Sequence, residues 1–442
     1  MNLFIFRRDL RLTDNTALLA AMNSGETLPM FILDPAQIDQ NPYFNERSRD
    51  FMINSLNAVR NALRRNGSDI LILRGDPAVV VQDTIRSFSI ERIFFNRDYT
   101  PFSKRRDSSI VRAAQKLGVG VEMHDDYLLA DPEIKSEKGT PYTNFTSFYR
   151  KALKTGFRNP VTGILLKNLC AIPDGNQDFE KVHSGGTEEG RSILDTFVNE
   201  NKNAYANYAN SKVSYFNSRL SPHIKFGTLS IREVATAFST LPNGTSLLRQ
   251  LYWRDFFLYL LHHFPYAIKQ SFNKKLSQFA WRNERPLIEA WKKGRTGFPI
   301  IDAAMRDLNE TGYINNRMRL IVSSFLVKDL HTDWRIGEHY FATKLVDYDP
   351  ASNNGNWQWV ASTGVDPRGG FRTFNPWLQQ RRYDPECSYI RRNVSELAEV
   401  EPYVIHNIQH FKVKDYPDPI VDHVAAAREF REMYLQAARK SN

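Results

Sequence analysis

The first 130 residues alternate strand-like and helix-like stretches, and the rest of the chain does not repeat that pattern. Short β runs are predicted at residues 3–6, 28–34, 69–74, 92–96 and 120–124. Between them, stretches such as residues 50–66 set Phe51, Ile53, Leu56, Val59 and Leu63 at helical spacing. Alternation of this kind argues a doubly wound, mostly parallel α/β domain. Such a sheet binds ligands at the carboxyl ends of its strands, yet neither G-x-G-x-x-G nor G-x-x-x-x-G-K-[ST] is present to cradle a phosphate. Residues 131–200 break into Gly, Pro, Ser and Asn and read as a long connection. Phe145-Thr146-Ser147-Phe148-Tyr149 interrupts it as a short helix expected to be pinned to a domain. Beyond 200 the text is helical: residues 247–264 have an apolar face, and Thr311-Gly312 precedes a helix running through Arg319 to Leu330. The predicted organisation is an α/β domain over 1–130, an inter-domain linker over 131–200 and an all-α domain over 201–442.

Charge follows the same division. Residues 1–200 hold 26 Lys+Arg and 26 Asp+Glu, whereas residues 201–442 hold 33 and 23, so the whole net charge of +10 lies in the helical part. All seven tryptophans lie there too, from Trp253 onward. A basic, Trp-rich half suggests a polyanionic partner; a basic surface that only aids solubility is the alternative. Mean hydropathy is −0.47, and the longest apolar runs fall far short of the ~20 residues of a membrane span, so no membrane partner is expected. The N-terminus opens on Leu3-Phe4-Ile5-Phe6 without the three regions of a secretory signal. Cys170 and Cys387 are lone thiols that fit a reducing cytosol. The expectation is a cytoplasmic monomer.

Several motifs carry possible chemistry. Ser218-Arg219-Leu220-Ser221-Pro222-His223 sets hydroxyls and a cation at a helix start, which suits a phosphate; an N-cap with a Pro turn is the alternative. Asp347-Tyr348-Asp349 and Asn353-Asn354-Gly355-Asn356-Trp357-Gln358-Trp359 crowd carboxylates, amides and indoles together without EF-hand spacing. Trp253-Arg254-Asp255 and Asn315-Asn316-Arg317-Met318-Arg319 place cations beside aromatics, an arrangement suited to base stacking and phosphate contact; a helix core with solvated arginines is the alternative. His262-His263, adjacent on a helix, point to different faces and make a poor metal pair. Neither G-x-S-x-G nor H-E-x-x-H occurs. No metal site is expected, so a cofactor must carry any hard chemistry.

In their order along the chain these segments resemble the photolyase/cryptochrome family. The likeness rests on Phe6-Arg7-Arg8-Asp9-Leu10-Arg11-Leu12-Thr13-Asp14-Asn15, residues 218–221 and Leu251-Tyr252-Trp253-Arg254-Asp255-Phe256. It continues through Gly294-Arg295-Thr296-Gly297-Phe298-Pro299-Ile300-Ile301-Asp302-Ala303-Ala304-Met305-Arg306, Asn316-Arg317-Met318-Arg319, residues 347–359 and Arg372-Thr373-Phe374-Asn375-Pro376. Within the family the chain is most similar to archaeal and bacterial cyclobutane-pyrimidine-dimer (CPD) photolyases. The resemblance implies an α/β antenna domain, a helical domain holding FAD, and light-driven repair of CPDs in UV-damaged DNA by electron transfer from excited reduced FAD. It implies FAD contacts from Tyr205, Asn217, Ser218, Arg219, Leu220 and Ser221 at the phosphates. Asp347, Tyr348 and Asp349 would hold the isoalloxazine and ribose, Arg319 would pair near Asp347, and Asn353 would face flavin N5. Trp357, Trp334 and Trp281 match electron-relay tryptophans. Trp253 and Trp359 would wedge the flipped lesion beside Gln250 and Asn316, while Arg254, Arg317, Arg372 and Gln379 would grip DNA.

The chain also departs from the pattern. Gln250 stands where CPD photolyases usually carry Glu, and is similar there to the (6-4) photolyases; those carry His at the positions of Asn316 and Leu320, and neither is His here. Asn217 replaces a usual Thr. Thr100 replaces the Glu that contacts folate in folate-binding members. Tyr99-Thr100-Pro101-Phe102 resembles archaeal members whose antenna is a deazaflavin or a second flavin. An 8-hydroxy-deazaflavin or a second flavin is therefore expected before methenyltetrahydrofolate. The rival readings are a signalling cryptochrome, disfavoured because no long polar tail follows Pro417-Asp418-Pro419, and a DASH-type or (6-4) photolyase, the former suggested by Asp366-Pro367-Arg368-Gly369-Gly370.

Overall fold

The computed structural model describes residues 1–163, 166–172, 185–201, 218–242, 244–277, 279–365 and 373–440. These form two compact units, one reaching from Met1 to Pro265 and the other beginning at Tyr266. The packing division thus differs from the divisions expected at residues 130 and 200, for reasons that lie in buried charge.

In the first unit the five predicted runs become β1 (Asn2–Phe6), β2 (Thr27–Leu33), β3 (Leu71–Arg74), β4 (Arg92–Asn96) and β5 (Gly120–His124). They pair in parallel in the order β3-β2-β1-β4-β5. Leu3 lies opposite both Leu28 and Ile93. Every residue of β1 is buried, as a parallel strand covered on both faces requires. Side chains alternate across the sheet. Leu3, Ile5, Leu28, Met30, Ile93 and Phe95 share one core with Val81, Ile85 and Ile110 from the helices Pro77–Phe88 and Pro101–Gln115. The strand order reverses between β1 and β4, which makes their carboxyl ends the switch point where such sheets take ligands.

Helices Ser221–Phe226, Ile231–Ser239 and Thr245–His263 belong to this same unit. Gly227, at φ 63°, lies so close to β1's exit loop that a Cβ would come 2.2 Å from Arg8 O. Arg232 bridges Asp14 at 2.8 Å and Asp126 at 2.6 Å, and Asp126 also pairs with Arg11. Asp255 accepts hydrogen bonds from the backbone N–H groups of Leu129 (2.7 Å) and Ala130 (3.0 Å). Breaking such a pair strands a buried charge at about 3–5 kcal/mol, so these segments hold to one another tightly. The connection's short helix, Phe145–Thr155, is pinned as expected: Phe145 stacks on Trp253 with centroids 3.7 Å apart and planes 7° apart.

The second unit is helical. Its core gathers Trp291, Trp334, Trp357, Phe298, Phe325 and Phe341, with contributions from helices Pro299–Thr311, Asn316–Ser324, Trp334–Ala342 and Pro350–Val360. The helix predicted to run to Leu330 is α-helical only over Asn316–Ser324 and then widens into a π turn, Phe325–Asp329. Among the described residues no helix is long and apolar enough to cross a membrane.

Candidate functional site

The acid- and amide-rich segment of the second unit folds into a corner followed by a helix. Asp349 caps the helix Pro350–Val360 by accepting from Ser352 N at 2.8 Å, and Pro350 opens it. Asp347, just before the corner, is buried and held by Arg319, whose Nη2 lies 3.0 and 2.8 Å from its two oxygens. The expected Arg319–Asp347 pair is therefore formed, and Tyr348 lies half-buried beside it. One turn into the helix, Asn353 Nδ2 donates to the backbone oxygen and to Oε1 of Glu338, both at 3.0 Å. Both amide hydrogens are thereby spent, which fixes the amide and leaves Oδ1 as its acceptor. Burial pushes the Glu338 carboxyl up to about 7, against the pull of that hydrogen bond. The sequence reading missed Glu338; its signal is a lone acid four residues after Trp334, on the same helical face.

Trp357 stands one turn beyond Asn353 on the same face. It is buried, lies edge-on to Phe341 at 5.0 Å and to Trp291 at 6.3 Å, and its ring tip fills the space a Cβ on Gly337 would need. Trp334, three residues before Gly337, is also buried. Its indole N–H has no acceptor among the described residues, and the Arg335 guanidinium stands 4.8 Å from its ring. Trp281 is half-buried against Phe279 (4.2 Å) and Phe430 (6.4 Å). Trp291 was not singled out from sequence as a relay candidate; its indole donates to Val322 O at 3.0 Å.

The residues expected at DNA are distributed over both units. In the second, Asn316 is exposed at the start of its helix, and Trp359 is half-buried. The Arg317 guanidinium lies over the Tyr383 ring at 4.7 Å, with Arg382 5.3 Å from that same ring. Gln379, one turn before Tyr383, keeps a buried Oε1 without a hydrogen-bond partner among the described residues. In the first unit Gln250 is exposed, one turn before Trp253, whose one face is covered by Phe145. Arg254 differs from its expected role as a phosphate grip. Its side chain is only 14% exposed, donates to Tyr127 O at 2.9 Å and Asp255 at 3.0 Å, and stacks 3.9 Å from the Tyr127 ring. Its charge offsets the buried Asp255, whose carboxyl burial pushes up to about 6.

Ser218 and Ser221 are half-buried, Arg219 is exposed at φ 52°, and Leu220 is buried. Leu220 occupies the cap position of the helix Ser221–Phe226 without a side-chain cap, and Pro222 stands in its first turn, so of the N-cap-with-Pro alternative the Pro part is present and the side-chain cap is not. Tyr205, Asn217, Arg372 and residues 366–370 lie outside the described residues.

At the switch point of the sheet, the Arg7 side chain, 8% exposed, lies over the Phe95 ring (3.9 Å), and burial lowers its guanidinium to about 10. Its Nη1 is 2.7 Å from Asp107 without hydrogen-bond alignment, and Arg7 Nη1 and Nη2 and Arg106 Nη2 donate to nothing described. Asp107 pairs with both guanidiniums, with Arg7 at 2.7 Å and Arg106 Nε at 3.1 Å, and the nitrogens left over suit an anionic or carbonyl-bearing ligand. Thr100, at the folate position, accepts from Ser103 N as the cap of the helix Pro101–Gln115.

Residues 2–163 match the family described as DNA photolyase, and residues 247–436 match the FAD binding domain of DNA photolyase. The chain is 34% identical to the deoxyribodipyrimidine photo-lyase of Halobacterium salinarum over 99% of both chains. It is 33% identical to that of Escherichia coli over 98% of both. The structure is similar to an archaeal photolyase from Sulfolobus tokodaii with two FAD molecules (TM-score 0.90, 41% identity, 99% of this chain and 100% of that one). It is also similar to a bacterial class III photolyase from Agrobacterium tumefaciens (TM-score 0.90, 30% identity, 99% and 98%).

Proposed function

The chain belongs to the DNA photolyase family, and from that premise we propose that it repairs cyclobutane pyrimidine dimers in DNA under blue light. Reduced FAD, when bound, supplies the light-driven electron that splits the cyclobutane ring and is then recovered. The observation that carries the reading is the face of the helix Pro350–Val360. It presents a fixed amide acceptor, Asn353, and one turn later a buried oxidisable ring, Trp357. That donor and acceptor set fits an isoalloxazine: Asn353 would meet the flavin at N5, and Asp347 and Asp349 would hold the ring edge and ribose.

The remaining residues act around it. Tyr348 lines the corner; Tyr205, Asn217, Ser218, Arg219, Leu220 and Ser221 bind the diphosphate. Trp357, Trp334 and Trp281 pass electrons inward from solvent. Trp253 and Trp359 stack on the flipped lesion, Gln250 and Asn316 meet its polar edges, and Arg317, Arg372 and Gln379 hold the strand. Arg254 acts through Tyr127 and Asp255 rather than on phosphate. A second flavin, rather than a folate, takes the buried guanidiniums of Arg7 and Arg106 as antenna. The protein works as a cytoplasmic monomer. The deciding experiment is illumination of chemically reduced, FAD-loaded protein with one CPD and one (6-4) oligonucleotide. Repair of the CPD alone is expected; repair of the (6-4) lesion alone, or of neither, overturns the reading.

A further inference from the structure

Two histidines that a helical wheel separates are brought to one loop. His263 is the last residue of the helix Thr245–His263, and there both rings turn onto the chain that follows β5. His262 Nε2 lies 2.7 Å from Glu133 Oε1, and His263 Nε2 lies 2.9 Å from Pro132 O. The ligand atoms of Glu133, His262 and His263 all fall within 4.8 Å of one another, and the two rings meet at 4.7 Å and 81°. The expectation that adjacent helical histidines diverge fails because the helix ends at the second of them.

We propose that Glu133, His262 and His263 form a binding site for a single divalent transition metal ion of the zinc class, with water completing its coordination. Two imidazoles and a carboxylate are donors of the type that zinc and nickel favour. Metal–ligand bonds of about 2.0–2.1 Å in tetrahedral array set the donors roughly 3.3 Å apart. The His262–Glu133 contact must therefore open by roughly half an ångström. Glu133, with 61% of its side chain exposed, can yield that much. The charges facing the cluster are Lys104, whose ammonium donates to His262 O at 3.0 Å, and Lys135 two residues after Glu133. These cations moderate the affinity, so the ion exchanges with solution. Its effect is to strap the connection after β5 to the end of the helix, beside the existing bond from the Tyr259 hydroxyl to Ile134 O at 2.7 Å. An ion that binds the folded form alone raises stability by mass action.

The test uses the untagged, FAD-loaded full chain, titrated with Zn2+ by calorimetry and with Co2+ by visible absorption. One equivalent, a tetrahedral Co2+ spectrum and a Zn2+-dependent rise in Tm are expected. Glu133→Gln and His263→Gln should each weaken binding roughly tenfold or more, since even outer partners of a metal are worth 10–100-fold. His410→Gln, on an exposed position elsewhere, should not. Flavin absorbance and circular dichroism report whether each variant is folded. The absence of a saturable equivalent in the wild-type protein overturns the proposal, as does unchanged affinity in both ligand variants.

Discussion

The two units bury acids in opposite ways. Asp126, in the first, is almost wholly buried, yet Arg11 and Arg232 outweigh that burial and hold its carboxyl below the usual carboxylate range. Glu338, in the second, is equally hidden; among the described residues its hydrogen-bond partner is the Asn353 amide, and its carboxyl is pushed up to about 7. The same group under the same desolvation is fixed as an anion in one place and poised near neutrality in the other. The deciding factor is whether a guanidinium is within reach. The first arrangement fastens chain segments together. The second leaves a carboxyl that takes up or releases its proton near neutral pH beside the aromatic core that holds Trp357.

Removing the fastener should produce the largest change. Arg232→Met leaves Asp14 and Asp126 buried with fewer cations, and should cost about 3–5 kcal/mol of stability in urea unfolding at pH 7. Because Asp126 titrates lower when folded, its contribution is present above the ordinary carboxylate range and fades as pH falls through its folded value. The variant should therefore lose less stability on acidification than the parent. A loss under 1 kcal/mol would mean the network is not what joins these segments.

Next in size is the aromatic interior. Trp357→Phe keeps an aromatic side chain there but gives up the indole tip that fills the space at Gly337, and it removes an oxidisable ring, so photoreduction of oxidised FAD should fall roughly a hundredfold, about 2.7 kcal/mol of barrier. Repair by enzyme reduced chemically beforehand should survive. Unchanged photoreduction would point to Trp291, 6.3 Å from Trp357, or another ring as the donor.

Glu338 gives a smaller effect of opposite sign to Asp126. Its carboxyl titrates near 7 when folded against 4.5 when unfolded, so the folded state binds the extra proton between these values. Stability of the FAD-free protein should fall by about 3 kcal/mol as pH rises through that window and level off above it. Glu338→Gln should flatten that slope when unfolding is compared at pH 5 and pH 8. An equal slope in both proteins would assign the titration to another group, such as Asp329 or Asp255.

What the sequence disclosed follows from range. The five strands were readable because Leu3-Phe4-Ile5-Phe6 and its counterparts are local apolar runs, and the Asp347-to-Trp359 segment was readable because its members share one corner and one helix. The attachment of residues 218–265 to the α/β unit was not, because it depends on Asp14 meeting Arg232 and on Asp255 reaching Leu129, pairings that no periodicity marks. The placing of Arg254 was hidden for the same reason: a charged side chain after Trp253 looks solvent-bound until its buried neighbour Asp255 is seen. Glu338 and the Glu133–His262–His263 cluster likewise depend on partners far along the chain.

DNA contacts test the exposed side of the comparison. Arg317 rests on Tyr383 and forms no ion pair with an acid among the described residues, so its charge is available to a phosphate. Arg317→Ala should reduce the slope of log K against log salt by about one contact, whereas Arg254→Ala, which removes a buried partner of Asp255, should reduce stability more than the slope. Equal slopes in the Arg317 variant and the parent would take this arginine out of the interface.

The smallest effect is expected at Gln250, an exposed side chain one helical turn before Trp253. It stands where CPD photolyases usually carry Glu, and the two side chains have nearly one shape. Gln offers a donor and an acceptor; Glu offers acceptors and, when protonated, a single O–H. Binding of damaged DNA depends on stacking and phosphate contact, so Gln250→Glu should leave affinity within about twofold. The difference should appear in the chemistry. Charge develops on the lesion after electron transfer, and a preorganised group aimed at that charge acts on ring splitting rather than on binding. Gln250→Glu should therefore raise CPD repair per absorbed photon by a modest factor, with no (6-4) repair in either form, since Asn316 and Leu320 supply no imidazole. The measurement is repair yield on both oligonucleotides with fully reduced enzyme. A parent protein that repairs the (6-4) lesion and ignores the CPD would make Gln250 the residue that sets lesion class, and would overturn the assignment drawn from the rest of the site.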